Sequence, residues 1–277
     1  MTIAKAAAAS LLAAAGSLTL ASAAAAQVGD WNGFYVGAHA GYAAQSEDDS
    51  ETILFDKNLD GNFSDTVTTG TGANAFSPGF CSGSPQGNAP AAGCEEDEDG
   101  ADFGVRAGYD LQTGPWVVGG VVEFSSADVT DSVGAFSTTP ASYTMTRELD
   151  SLFAARLRGG YAFGPYLGYL TGGVARGQVS HSFASTNTVN SFPERGDEEA
   201  SGYQIGAGAE THLSPRLRVG VEYLWTSLED DSYRVRATGP APATNPFIVT
   251  NSNGTDFRRS DDEFEFGSFR LTAAYRF

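Results

Sequence analysis

The sequence predicts an all-β chain: an eight-stranded antiparallel up-and-down transmembrane β-barrel with long extracellular loops. Three observations predict it. Period-two alternation of apolar and small or polar residues recurs through the chain after residue 30. The alternating runs are about ten residues long, the length needed to cross a bilayer at a tilt and longer than strands in soluble sheets. The connections between them alternate between very short and very long. Composition agrees: 34 Gly, 12% aromatic residues and only 18% charged residues disfavour a helical protein.

The chain opens with Met1 to Lys5 and a weakly apolar, Ala-rich run ending at Ala26. One positive charge, an apolar stretch and an Ala-x-Ala end predict a signal peptide over 1–26, cleaved before Gln27, which leaves 27–277 as the barrel domain. The run is long enough for a membrane anchor helix, but it is mostly Ala and lacks a basic stop on its far side.

Eight strands follow. Phe34, Val36, Ala38, Ala40 and Tyr42 share one face of the first, as do Phe103, Val105, Ala107, Tyr109 and Leu111 in the second. Trp116, Val118, Gly120, Val122 and Phe124 mark the third; Phe153, Ala155, Leu157, Gly159, Tyr161 and Phe163 the fourth. The fifth covers about 166–179, with ambiguous facing. Tyr203, Ile205, Ala207, Ala209, Thr211 and Leu213 mark the sixth. Leu217, Val219, Val221, Tyr223 and Trp225 mark the seventh, and Phe269, Leu271, Ala273, Tyr275 and Phe277 the last. Aromatic residues near the strand ends with small or aliphatic ones between describe an apolar band with girdles. Thr113-Gly-Pro115, Gly164-Pro165 and Ser214-Pro-Arg216 are tight turns on one rim. The other rim carries polar loops over about 46–100, 129–147, 180–199 and 228–262, expected to be external and free to vary.

With the aliphatic face toward lipid, the opposite face holds Arg106, Glu123, Arg156, Arg158, Glu210, Arg218, Glu222, Arg270 and Arg276. A turn centred between Gly114 and Pro115 sets Arg106 opposite Glu123. A turn centred on Pro215 sets Glu210 opposite Gly220 and Glu222 opposite Gly208, a small residue facing each large charged one. Arg106, Glu123, Arg156, Arg158, Glu210, Glu222 and Arg270 are therefore expected to form a network that plugs the lumen, because an eight-stranded interior is only wide enough for its own side chains. The competing reading is that these charges line or gate a narrow pore.

Residues 31–42, Arg156-Leu-Arg-Gly-Gly-Tyr161, Leu170-Thr-Gly-Gly-Val-Ala175, Glu222-Tyr223 and the ending Phe269 to Phe277 resemble the opacity-type, porin-like outer-membrane β-barrel surface antigens of Gram-negative bacteria. The resemblance covers the strands and not the long loops. It implies an eight-stranded monomeric barrel with surface-antigen, adhesion or envelope-stability roles. It also implies that Phe269, Leu271, Tyr275 and Phe277 form the signal read by the barrel-assembly machinery.

Other chemistry is sparse. The formal net charge of −18 argues against nucleic acid as a partner. Two Cys and three His cannot supply a dedicated four-ligand zinc site. Cys81 and Cys94 are the only cysteines, sit in one loop and face an oxidising compartment, so they are expected to form a disulfide. Among His39, His181 and His212, only His181 has serine neighbours, and adjacent strand residues point to opposite faces, so no enzyme is expected. Asp56, Asn58 and Asp60, with Gly61, match the first half of a calcium loop, but Val67 stands where its closing Glu belongs; weak Ca²⁺ binding is the expectation, with no other cofactor. The acidic run 95–99 reads as a solvated patch.

The function expected is an outer-membrane surface barrel with envelope-structural and surface-interaction roles. It would touch lipid and lipopolysaccharide, the assembly machinery and an unidentified extracellular partner. A small passive channel is the alternative, and a soluble lipocalin-like ligand-binding barrel the third reading.

Overall fold

A computed structural model describes residues 30–46 and 50–277; the expected signal peptide lies outside the described residues. The described strands are β1 (Gly33–Gln45), β2 (Ile53–Asp56), β3 (Gly79–Ser82), β4 (Ser84–Pro85), β5 (Cys94–Glu95), β6 (Gly100–Thr113), β7 (Trp116–Ala127) and β8 (Thr130–Ser137). They continue with β9 (Ala141–Phe163), β10 (Tyr166–Ser185), β11 (Glu194–Arg195), β12 (Glu199–His212), β13 (Leu217–Glu229), β14 (Arg234–Ala237), β15 (Thr255–Arg259) and β16 (Glu263–Arg276). Eight of them, β1, β6, β7, β9, β10, β12, β13 and β16, pair antiparallel in that order, and β16 returns to β1 to close the ring. Closure leaves no unpaired edge, the condition for a sheet to stand in lipid.

The two faces differ as the alternation requires. Leu157, Leu170, Val105, Val174 and Leu271 stand exposed on the outside, while Arg270, Arg218 and Asp110 are buried within. A soluble ligand-binding barrel would invert this arrangement. The fifth strand's facing is resolved: Leu170 and Val174 point outward, Leu167 and Tyr169 inward. Phe269, Leu271, Tyr275 and Phe277 all lie on the outer face, with Phe277 against Phe34 and Tyr275.

The long connections differ from the expected free loops. Residues 129–147 are largely a hairpin, β8 against the start of β9, and β10 continues to Ser185 beside it. A register shift at Gln178/Val179 marks where the barrel wall gives way to this extension. Strands β11, β14, β15 and β2 form a second antiparallel sheet from segments read as loop. The hairpin and this sheet enclose a separate core of Ile53, Phe55, Val67, Phe76, Val133, Tyr143, Met145, Val235, Phe247 and Phe257. The physical reason is spacing: the apolar residues of this cap are scattered over three connections. No single stretch alternates long enough to read as a strand, and burial comes only when the segments meet. Cys81 and Cys94 form a disulfide with Cα atoms 6.3 Å apart, tying β3 to β5.

Candidate functional site

Inside the ring, the alternate residues of the barrel strands build two charged layers. Near the short turns, Asp110 of β6 accepts hydrogen bonds from Arg158 Nε at 2.8 Å and Nη2 at 2.6 Å, and from Arg218 Nη1 at 2.8 Å. Arg158 Nη1 also donates to Glu210 at 2.7 Å. The Arg158 guanidinium lies over the Tyr35 and Tyr169 rings, and that of Arg218 over Tyr35 and Trp31. Trp31, fully buried and packed on Val117, Ala162 and Leu167, sits against the His212 ring at this end.

The second layer lies at mid-barrel. Glu222 accepts from Arg106 Nη2 at 2.9 Å on each oxygen and from the Tyr169 hydroxyl at 2.9 Å. Glu123 faces Arg156 Nη2 at 3.1 Å, Arg106 Nε at 3.4 Å, and Arg270. Asp102 receives Arg270 and His39 Nε2, the latter at 3.2 Å. Arg156 Nη1 donates to Gln204 at 2.6 Å. Together the layers hold five arginines (Arg106, Arg156, Arg158, Arg218, Arg270) and five carboxylates (Asp102, Asp110, Glu123, Glu210, Glu222). The formal charges of these ten groups cancel.

The strand register sets Arg106 opposite Glu123, Glu210 opposite Gly220 and Glu222 opposite Gly208, matching the turn arithmetic. The strongest contacts do not follow register, however. Arg106 reaches across the lumen to Glu222. The space at Gly208 is taken by Tyr169: a Cβ there would lie 2.4 Å from its hydroxyl oxygen. All seven residues expected in the network lie in these layers. Asp102, Asp110, Arg218, His39, Tyr35, Tyr169 and Gln204 join them. Asp102, Asp110, Arg218 and Gln204 share the inward parity of a named neighbour on their strands, His39 and Tyr35 alternate with the outward series of the first strand, and Tyr169 lies on the fifth strand, whose facing the sequence left ambiguous. Arg276 does not join; it bonds Asp30 and nearby carbonyls at the rim.

Above the layers, at the long-connection mouth, a cavity of about 270 Å³ is lined by acids including Glu51, Asp97, Asp131, Asp261 and Glu263 around Arg147. Arg259 forks onto Glu51 at 2.7 and 2.6 Å and reaches Asp131 at 2.6 Å; Arg147 holds Asp131 at 2.7 Å. The acidic run is stitched to this mouth, because Asp97 accepts the Ser132 amide and Asp99 the Gln45 amide. Burial first, and then the Asp131 charge, push the Asp97 carboxyl up to about 6, against the pull of Arg259 and Arg147. Burial raises Glu51 in the same direction. A carboxyl whose folded pKa is raised contributes stability below its unfolded value and loses it as pH rises through the folded one. The protection of cap amides, corrected for the intrinsic pH dependence of exchange, is therefore expected to be greater at pH 5 than at pH 8, the loss running from about pH 4 to about pH 7. Asp97→Asn should flatten that dependence; lower corrected protection at pH 5 than at pH 8 would contradict it.

Two other groups singled out in the sequence are held by local hydrogen bonds. Asp56 spends both carboxylate oxygens on the amides of Leu59, Asp60 and Gly61, Asn58 Oδ1 accepts the Asp60 amide, and Asp60 Oδ1 accepts that of Asn62. Val67 is buried in the cap core. The three residues build a hydrogen-bonded turn. Among the described residues no group of three or more His, Cys, Asp or Glu is placed to hold a metal. His181 bonds Asp230 at 2.9 Å and stacks on Tyr233, while the Ser180 hydroxyl donates to Asp150. That leaves no Ser180–His181 pair.

A closed ring of eight antiparallel strands, apolar outside and charged within, defines a transmembrane barrel of the bacterial outer membrane. The chain belongs to the outer membrane protein beta-barrel domain family, whose model matches residues 11–277, and its place is the outer membrane of a Gram-negative bacterium. It is 28% identical over 201 residues to the 31 kDa outer-membrane immunogenic proteins of Brucella melitensis biotype 1 and Brucella suis biovar 1. The match covers 72% of this chain and 71% of theirs. Similar solved structures include the outer membrane protein OprG of Pseudomonas aeruginosa, with TM-score 0.45 and 12% identity over 90% of this chain and 98% of that one. The outer membrane protease OmpT of Escherichia coli gives TM-score 0.39 and 11% identity over 92% and 100%.

Proposed function

We propose that the protein is a surface-displayed, non-catalytic barrel with envelope-structural and surface-interaction roles, its lumen closed by the two charged layers. The equality of five arginines and five carboxylates in mutual contact carries this reading. Charges that neutralise one another across a lumen this narrow leave no ion path and no net field to recruit ions. The barrel works as a monomer whose outer face meets lipid and lipopolysaccharide. The outward series Phe269, Leu271, Tyr275 and Phe277 is the feature the assembly machinery reads, and the packed cap meets an extracellular partner. Planar-bilayer recording of the purified protein tests closure. The wild type is expected to be nearly silent; steady, large openings would replace this reading with that of a small passive channel.

A further inference from the structure

At the short-turn rim the chain enters the lumen before it joins the wall. Asp30, Trp31 and Asn32 precede β1, yet Trp31 is fully buried. Gly33 makes that path possible: its φ of +116° is one that a residue with a Cβ rarely adopts, and it turns the segment inward at the foot of the first strand. From there the three residues reach every other barrel strand. The Trp31 amide donates to Gln112 Oε1 of β6 at 2.9 Å, and the Gln112 amide donates to Asn32 Oδ1 at 2.7 Å. The indole shares one apolar cluster with Val117 of β7, Ala162 of β9 and Leu167 of β10. Its ring centroid lies 4.2 Å from that of His212 of β12, and the Arg218 guanidinium of β13 stands over it at 5.4 Å. Arg276 of β16 clasps the segment at the rim, pairing with the Asp30 carboxylate at 2.8 Å and donating to the Asn32 carbonyl at 3.2 Å. A side chain that is no part of the wall thus fills one end of the ring.

This residue is not bonded as a permanent core residue is. Among the described residues, Trp31 Nε1 is buried without a hydrogen-bond partner, and so are both ring nitrogens of His212 beside it. A Phe would fill the same space and orphan no donor. The hold on the rim is largely the Asp30–Arg276 pair, whose carboxylate stands mostly in solvent, where such pairs are weak. The segment also lies outside the wall ladders, which begin at Gly33 toward β6 and at Tyr35 toward β16. It can leave without breaking a strand pair. We propose that Trp31 is a hinged stopper. Seated, it shuts the short-turn, periplasmic mouth of the lumen; swung out about Gly33 when the Asp30–Arg276 clasp opens, it admits water and small ions as far as the charged layers. The inference goes beyond closure by those layers, because it sets a second barrier of different chemistry in series with them. Paired charges leave ions no path in a narrow bore, whereas an apolar ring stops them by excluding water.

Two measurements on the full-length barrel test it. The chain has three tryptophans, so a Trp116→Phe/Trp225→Phe background leaves Trp31 as the reporter. In lipid nanodiscs its fluorescence should resist acrylamide. Adding Asp30→Asn with Arg276→Gln should raise quenching toward that of an exposed indole, while the heat-modifiable gel shift of the folded barrel is kept. In planar bilayers, Trp31→Ala alone should stay nearly silent and Glu123→Ala should leak slightly. Together they should pass current on the order of tenfold above Glu123→Ala, and Trp31→Phe in that background should restore the seal. Leak from Trp31→Ala alone would also uphold the stopper, and would remove instead the reading of the charged layers as the seal. Free quenching of Trp31 before the clasp is broken, quenching that the clasp variant does not raise, or no current beyond that of Glu123→Ala would overturn the proposal. A lower urea midpoint for Trp31→Ala with none of the other changes would make the residue packing alone and overturn it too. The quenching result decides the matter even where Trp31→Ala fails to assemble.

Discussion

Glu123→Ala is expected to remove about 3 kcal/mol or more from barrel stability, measured by urea unfolding in lipid vesicles. Glu123 is buried among Arg106, Arg156 and Arg270, so its loss leaves three guanidiniums facing only Glu222 and Asp102. Stranding one side of a buried ion pair typically costs about 3–5 kcal/mol, and water entering the lumen would relieve part of it. The same water should raise ion leak above the wild-type background. Pairing Glu123→Ala with Arg270→Ala should be much less harmful than the sum of the two singles. With Arg106→Ala the relief should be smaller, because Arg106 keeps its two short bonds to Glu222. A loss under about 1 kcal/mol, or strict additivity with Arg270→Ala, would show that the layers are too wet to act as a network.

Phe257→Ala should open the cap and leave the barrel folded. Phe257 is fully buried at the centre of the external core, with ring contacts to Phe55, Phe76, Tyr143, Phe247, Phe183 and Phe192. Truncating a buried Phe to Ala typically costs about 3–5 kcal/mol, a large share of what a small satellite core can supply. The expected result is rapid proteolysis within 46–100 and 228–262 on intact cells, with the heat-modifiable gel shift of the folded barrel retained. A protease pattern equal to the wild type would mean that the cap does not rest on this core. Simultaneous loss of the gel shift would mean that cap and barrel unfold together.

The eight barrel strands, the facing of all but the fifth and the register of two hairpins were legible in the sequence because each rests on local information. A strand crossing lipid must alternate for about ten residues, and a tight turn fixes which residues oppose one another. Thus Arg106 opposite Glu123 and Glu222 opposite Gly208 could be computed from turn positions alone. The Cys81–Cys94 bond was legible because no other cysteine competes.

The cap and the contacts within the lumen were decided only by tertiary structure. Val67, Phe76, Tyr143, Phe247 and Phe257 come from separate connections and bury one another only once the barrel has gathered those connections over one mouth. Arg106 prefers Glu222 to the residue opposite it because a long guanidinium spans the narrow lumen. Which carboxylate it meets there depends on ring closure and on Tyr169 filling the space at Gly208. On all barrel strands but the fifth, the sequence by itself determined which residues face lipid and which face inward, since a period of two needs only neighbours along the strand. The partners of the inward charges and the packing of the external connections were left to the closed ring, because each is a contact between residues that only that ring brings within reach.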